Sequence, residues 1–226
     1  AVSAEARRIY REAEADPDPD PETVLEDLYG PPLPSRPVQI PISDEGTTMV
    51  DATQRVLRAG LQAFPELFLF GQDIEDPKGG VFGFTRGLSD AFPGRVLNAP
   101  IAEASIVGSA VGLATQGLRP VFEIQFIDFM SPGFNQLVNQ VASLRWRSQS
   151  RWTCPMVIYA PYGGYITQGG LWHSQSNEGW WTHMPGLRVA IPSTPEDLVG
   201  LFWSAFQDED PSLVLIPKRV FRLRHM

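Results

Sequence analysis

Residues 120–135 read Pro-Val-Phe-Glu-Ile-Gln-Phe-Ile-Asp-Phe-Met-Ser-Pro-Gly-Phe-Asn. The first part, 120–124, is a short, mostly apolar run of strand length. From 132 the spacing of apolar residues suits a helix that continues to 147. A nearly continuous apolar strand followed by a helix is the pattern of a parallel sheet covered on both faces. The same alternation recurs on either side. It predicts strands at 67–70, 95–97, 156–160, 187–191 and 213–216, and helices at 103–116 and 195–207. Another helix is predicted to start at Thr47-Thr48, with Val50, Val56, Leu57, Leu61 and Phe64 on its apolar face. The series defines an α/β domain with a mostly parallel sheet and helices on both faces. Ligands of such sheets sit beyond the carboxyl ends of the strands. The polar sets that follow strands are Gln72-Asp73, Glu103, Asp128 and the 161–178 loop.

Composition narrows the function classes. A chain of 226 residues, 43% hydrophobic, supports one large domain or a domain with an appendage. The net charge of −8 is unevenly placed: residues 1–45 hold 11 acids and 4 bases, whereas 46–226 hold 15 and 14. The body is therefore near neutral and lacks the basic footprint of a nucleic-acid binder. No window is long and apolar enough to span a membrane, and Arg7, Arg8 and Arg11 interrupt any signal peptide. The lone cysteine, Cys154, excludes an intramolecular disulfide and fits a reducing compartment, the cytoplasm or a mitochondrial matrix. Its place before Pro155 at a strand start suits a buried structural thiol. Residues 3–15 are predicted to be helical, and the prolines at 17, 19 and 21 stop that helix. After a short possible helix at 23–29 comes a proline-rich stretch to Pro41. The expected division is a tail and an extended, solvated connector over 1–46, then a domain over 47–226.

Three constellations carry chemistry. Glu103 opens a helix just after a strand, where a first-turn acid favoured by the helix dipole is common and a site carboxylate is the sharper reading. Its helix carries Gly108 and Gly112, which allow close approach to its own sheet or to another subunit. His173 sits between Gly169-Gly170 and Ser174-Gln175-Ser176, with Trp172, Trp180 and Trp181 near in sequence. That setting suits a covered pocket in which imidazole exchanges protons near neutral pH. Asp208, Glu209 and Asp210 form an acidic turn, with Asp208 and Asp210 as candidate ligands of a structural cation. No phosphate-binding loop and no Gly-x-Gly-x-x-Gly is present.

Motifs in a fixed order then add a resemblance. They are Gly79-Gly80-Val81-Phe82, Ala102-Glu103, Glu123-Ile124-Gln125-Phe126, Leu144-Arg145-Trp146-Arg147-Ser148, His173-Ser174-Gln175-Ser176, Pro185-Gly186-Leu187, Pro192-Ser193-Thr194-Pro195 and Pro217-Lys218-Arg219. Over 47–222 the chain resembles the β-type, pyrimidine-binding domain of the decarboxylating component of thiamine-diphosphate-dependent 2-oxoacid dehydrogenases. Residues 1–36 resemble the tail of the family's α-type domain, as in a fused polypeptide. The resemblance implies decarboxylation of a 2-oxoacid and acyl transfer to lipoamide. Glu103 matches the glutamate that hydrogen-bonds the aminopyrimidine and promotes the tautomer that takes up the thiazolium proton. Phe129 matches the aromatic that stacks on that ring, Ile101 a residue that contacts it, and His173 a histidine that handles the substrate carboxylate and acyl transfer. A carboxylate suits the first task because it shares a proton with a ring nitrogen.

The resemblance also implies partners: an α-type diphosphate-binding portion that holds magnesium, a lipoyl domain of an acyltransferase, and a second β-type domain in a homodimer. A structural potassium would be the acidic turn's cation. Nucleic acid and membrane are not expected. Two departures stand out. Gln72 replaces the acid of the family's frequent Gly-Glu-Asp, and Tyr165-Ile166-Thr167-Gln168 is bulkier than the usual loop. Pyruvate and branched-chain 2-oxoacids both remain open. So do a noncatalytic dimerisation module and another thiamine-dependent, transketolase-like enzyme.

Overall fold

The computed structural model describes residues 2–33, 36–37, 40–41, 46–164 and 169–224. Six strands form one sheet: β1 (Leu67–Gly71), β2 (Val96–Asn98), β3 (Arg119–Glu123), β4 (Val157–Tyr162), β5 (Arg188–Ala190) and β6 (Ser212–Pro217). Their order is β2-β1-β3-β4-β6-β5, and every pairing is parallel. The register aligns Gly71 with both Asn98 and Glu123, so β1, β2 and β3 end level. The chain leaves β1 towards β2 on one side and returns to β3 on the other. This reversal opens a crevice at the carboxyl ends of β1 and β3.

The two-period of the strands divides the core. Val121, Val157, Tyr159, Val214 and Ile216 face one layer; Phe122, Ile158, Ala160, Leu213 and Leu215 face the other. The first layer is closed by α2 (Met49–Ala63) and α8 (Pro195–Gln207), the second by α4 (Glu103–Thr115) and the helical stretch after β3. Both faces are thus buried, and burial of such apolar area is worth roughly 25 cal/mol per Å². Thr48 caps α2 reciprocally with Asp51, at 3.1 Å in each direction. Val56, Leu57 and Leu61 are buried as expected, while Val50 and Phe64 are only partly so.

The expected helix over 132–147 has a different form. A 3-10 helix already begins at Ile127 and runs to Gly133. It is followed by α5 (Phe134–Gln136), a π-wound segment Leu137–Ala142 and α6 (Leu144–Arg147). Pro132 lies within the 3-10 part. The π-wound segment ends where Gly186 comes closest: a Cβ there would stand 2.1 Å from the Ala142 carbonyl oxygen, and its φ is +85°. Two short helices, α3 (Leu88–Ala91) and α7 (Glu178–Thr182), are additional to those expected from the sequence.

The amino-terminal arm is partly docked rather than wholly solvated. α1 (Val2–Glu14) has no buried residue. By contrast, the Gly30 N–H donates to Asp210 Oδ2 at 2.8 Å, and the Arg188 guanidinium lies 4.8 Å from the centre of the Tyr29 ring. Trp203 donates its indole N–H to the Arg36 carbonyl, and the Arg36 N–H donates to Gln207 Oε1 at 2.7 Å. Backbone groups of Gly30 and Arg36 thus find side-chain partners on the body, which offsets their lack of ladder bonds.

Candidate active site

At the carboxyl ends of β1, β2 and β3 three polar residues converge. Gln72 follows β1 and is buried; its Nε2 donates to Glu103 Oε1 at 3.1 Å. Gln125 follows β3, and its Nε2 donates to the Gln72 carbonyl at 3.2 Å. Glu103 is the first residue of α4, half-buried, in a turn without a side-chain cap. There the helix dipole stabilises its negative charge. Ile101, on the same connection, is 87% exposed, so its side chain belongs to a surface open to a partner or ligand and not to the core.

Beneath this group Glu123, the last residue of β3, is 2% exposed, and its Oε2 accepts the Tyr159 hydroxyl at 2.7 Å. Burial pushes its carboxyl up to about 7, against the opposing effect of that hydrogen bond. Desolvation, together with the neighbouring carboxylate, likewise raises the Tyr159 hydroxyl well above its ordinary value.

A second group sits over the ends of β3, β4 and β6. His173 closes a 3-10 turn, Leu171–His173. Its ring meets Phe126 edge-on at 4.6 Å and Phe129 at 5.3 Å. Lys218 lies 4.9 Å over the Phe126 ring. The aromatic surroundings of His173 therefore come from Phe126 and Phe129. Trp172 and Trp180 are exposed, and Trp181 is buried against Phe134 and Asn177. Glu103 and His173 belong to different groups, joined by the 3-10 helix Ile127–Gly133. That helix carries Phe129 and packs on α4, with Gly133 against Val107 and the Glu103 carbonyl. Residues 165–168, the loop bulkier than the family's usual one, lie outside the described residues.

Asp208 and Asp210, the candidate cation ligands, pair with guanidinium groups. Asp210 Oδ1 accepts Arg145 Nε at 2.6 Å, and its Oδ2 accepts Arg188 Nη2 at 2.9 Å and the Gly30 N–H. Asp208 pairs with Arg188 at 2.7 Å. Two arginines balance these carboxylates through charge-assisted contacts. Among the described residues no group of three or more His, Cys, Asp or Glu is placed to hold a metal ion. Cys154 is buried and its thiol is pushed up to about 12 by desolvation, in accord with a structural role.

A hollow of about 550 Å³, lined by Glu66, Arg119, Trp152 and Glu209 among others, lies at the amino ends of the strands, away from both Glu103 and His173. Sequence reading missed Lys218, Phe126 and the Glu123–Tyr159 pair as parts of this region. Lys218 and Phe126 stood within recognised motifs, but nothing local distinguishes a buried lysine from an exposed one.

Fold, strand order and polar crevice together define a class. The chain belongs to the transketolase pyrimidine-binding domain family, whose sequence profile matches residues 45–223. Particular relatives are similar over most of this chain. The 2-oxoisovalerate dehydrogenase subunit beta of Bacillus subtilis is 42% identical over 175 residues, 77% of this chain and 53% of that protein. The pyruvate dehydrogenase E1 component subunit beta of Acholeplasma laidlawii is 42% identical over 176 residues, again 77% and 53%. The chain thus spans about half the length of the curated relatives it matches. A solved structure titled a split gene transketolase, inactive beta4 tetramer, shares the fold at a TM-score of 0.62 and 21% identity, covering 76% of this chain and 52% of that one.

Proposed function

We propose that this chain supplies the pyrimidine side of a thiamine-diphosphate site in a 2-oxoacid dehydrogenase. The enzyme would decarboxylate a 2-oxoacid and pass the acyl group to lipoamide. The observation that carries the reading is the Gln72–Glu103 pair: a half-buried carboxylate at a helix start, in the switch-point crevice, with one oxygen held by an amide. The donor set fits an aminopyrimidine. Oε1 of Glu103 is held by Gln72, so the other carboxylate oxygen can share a proton with a ring nitrogen. Exposed Ile101 and half-buried Phe129 offer apolar and aromatic surface to the faces of such a ring. When bound, the cofactor supplies the electron sink for decarboxylation. His173, fixed between two phenyl rings, presents an imidazole that can hydrogen-bond a substrate carboxylate or carry a proton during acyl transfer.

The diphosphate and its magnesium are assigned to an α-type portion, as the resemblance to the family implies. The further partners in this reading are a lipoyl domain and a second β-type domain in a homodimer, in cytoplasm or mitochondrial matrix. Relatives named for 2-oxoisovalerate and for pyruvate are equally similar, so either substrate class is compatible. A purely dimerising module has no use for a buried amide oriented on a crevice carboxylate, which disfavours that alternative.

Calorimetry tests the proposal. The chain alone, with cofactor and magnesium, is expected to bind more weakly than micromolar, and addition of the α-type portion should produce tight binding. A dissociation constant of about 1 μM or below for the chain alone, roughly −8 kcal/mol, would put the diphosphate site here and overturn the assignment.

A further inference from the structure

His173 follows two glycines, and Gly170 has φ +62°, so its own sequence gives the turn no stiffness. The backbone around His173 is instead held from three strand ends. Asp128, in the 3-10 helix beyond β3, accepts the N–H groups of Ser174 and Gln175 on Oδ1, both at 3.0 Å. Lys218, just after β6, donates from Nζ to the His173 carbonyl. Gly163, just after β4, donates its N–H to the Gln175 carbonyl at 2.8 Å. Asp128 is 7% exposed and Lys218 4%, and Asp128 Oδ2 is buried with no hydrogen-bond partner.

Burying an acid and a base is costly unless their hydrogen bonds are used well. Here these three side-chain hydrogen bonds of the two groups all go to the backbone of 173–175. Desolvation lowers the Lys218 ammonium from its ordinary value, and the Asp128 carboxylate opposes that shift. The Lys218 ammonium also lies over Phe126, one of the two rings that contact the imidazole.

We infer that Asp128 and Lys218 are positioning residues for His173: a buried acid and a buried base that clamp the histidine's backbone from both sides and leave its ring only side-chain rotation between Phe126 and Phe129. The inference rests on the catalytic reading of His173 for its consequence in turnover, but not for its geometry.

Two measurements test it. In the chain itself, imidazole NMR signals of His173 are compared between wild type, Lys218→Met and the double variant Asp128→Asn/Lys218→Met. The double variant carries neither buried charge, so it remains a test if the single one unfolds. The His173 signal should shift or broaden in both, with exposed His183 unchanged as reference. A wild-type His173 signal in a double variant that melts as a folded protein would overturn the inference. In the assembled enzyme, single-turnover acyl transfer to a lipoyl domain should slow about tenfold in Lys218→Met, the scale of one lost charge-assisted hydrogen bond. It should slow no further when Lys218→Met is added to His173→Ala. Multiplicative losses would mean that the clamp acts elsewhere and would overturn the inference. An unimpaired His173→Ala enzyme would instead sink the catalytic reading, and the NMR result would still decide the clamp.

Discussion

Gln72 donates a hydrogen bond from Nε2 to Oε1 of Glu103 across 3.1 Å, joining the end of β1 to the start of α4. An amide at this place orients the carboxylate without adding charge. Its own carbonyl backbone is tied to Gln125, so the three strand ends hold one acid in place. Gln72→Leu removes the donor at similar volume. Turnover in the assembled enzyme is expected to fall about tenfold, the scale of one hydrogen bond to a charged group. A rate equal to wild type in steady-state assays would show that Glu103 needs no such support.

Glu103→Gln keeps the shape and removes the proton acceptor. The assembled enzyme should lose essentially all turnover while the chain keeps its thermal melt. Activity within about tenfold of wild type, roughly 1.4 kcal/mol of barrier, would remove Glu103 from the proposed chemistry.

The buried Glu123 makes stability depend on pH. Its carboxyl lies at about 7 in the folded chain, against an ordinary value of 4.5, because burial disfavours the charged form. Between those values the folded state holds a proton that the unfolded chain releases. Stability from this group is therefore greatest at the acid end, falls as pH rises through the window and levels off above about 7. Asp76 and Asp197 are shifted downwards, so their opposite contributions lie at lower pH. Thermal melts from pH 5 to 8 should show a decline that Glu123→Gln abolishes. An equal slope in both proteins would mean that Glu123 is not the titrating group.

Asp210, 1% exposed, is the hub that joins Arg145, Arg188 and the Gly30 N–H. Asp210→Ala strands the buried Arg145 guanidinium and should cost about 3–5 kcal/mol, read from denaturant unfolding. Exchanging sodium for potassium chloride at equal ionic strength should leave the wild-type melt unchanged, since arginines occupy the carboxylates. A potassium-specific rise would restore a cation to this turn.

The sequence by itself determined the α/β sheet, its faces and the positions of the residues with chemical potential. Apolar runs such as 120–124 and 213–216, and the Thr48–Asp51 cap, are local signals that no tertiary contact overrides. Glu103 was legible because it opens a helix after a strand. The tertiary structure alone decided which of these residues meet. Gln72 and Glu103 lie 31 positions apart, and Lys218 and His173 45. Strand order and register bring them together, and no periodicity encodes either. The same reason explains the acidic turn: Asp208 and Asp210 look like free ligands in sequence until Arg145 and Arg188 fold onto them. The winding of 127–147 likewise coincides with tertiary contacts, the close approach of Gly186 to the Ala142 carbonyl and packing on α4, that its local sequence does not announce.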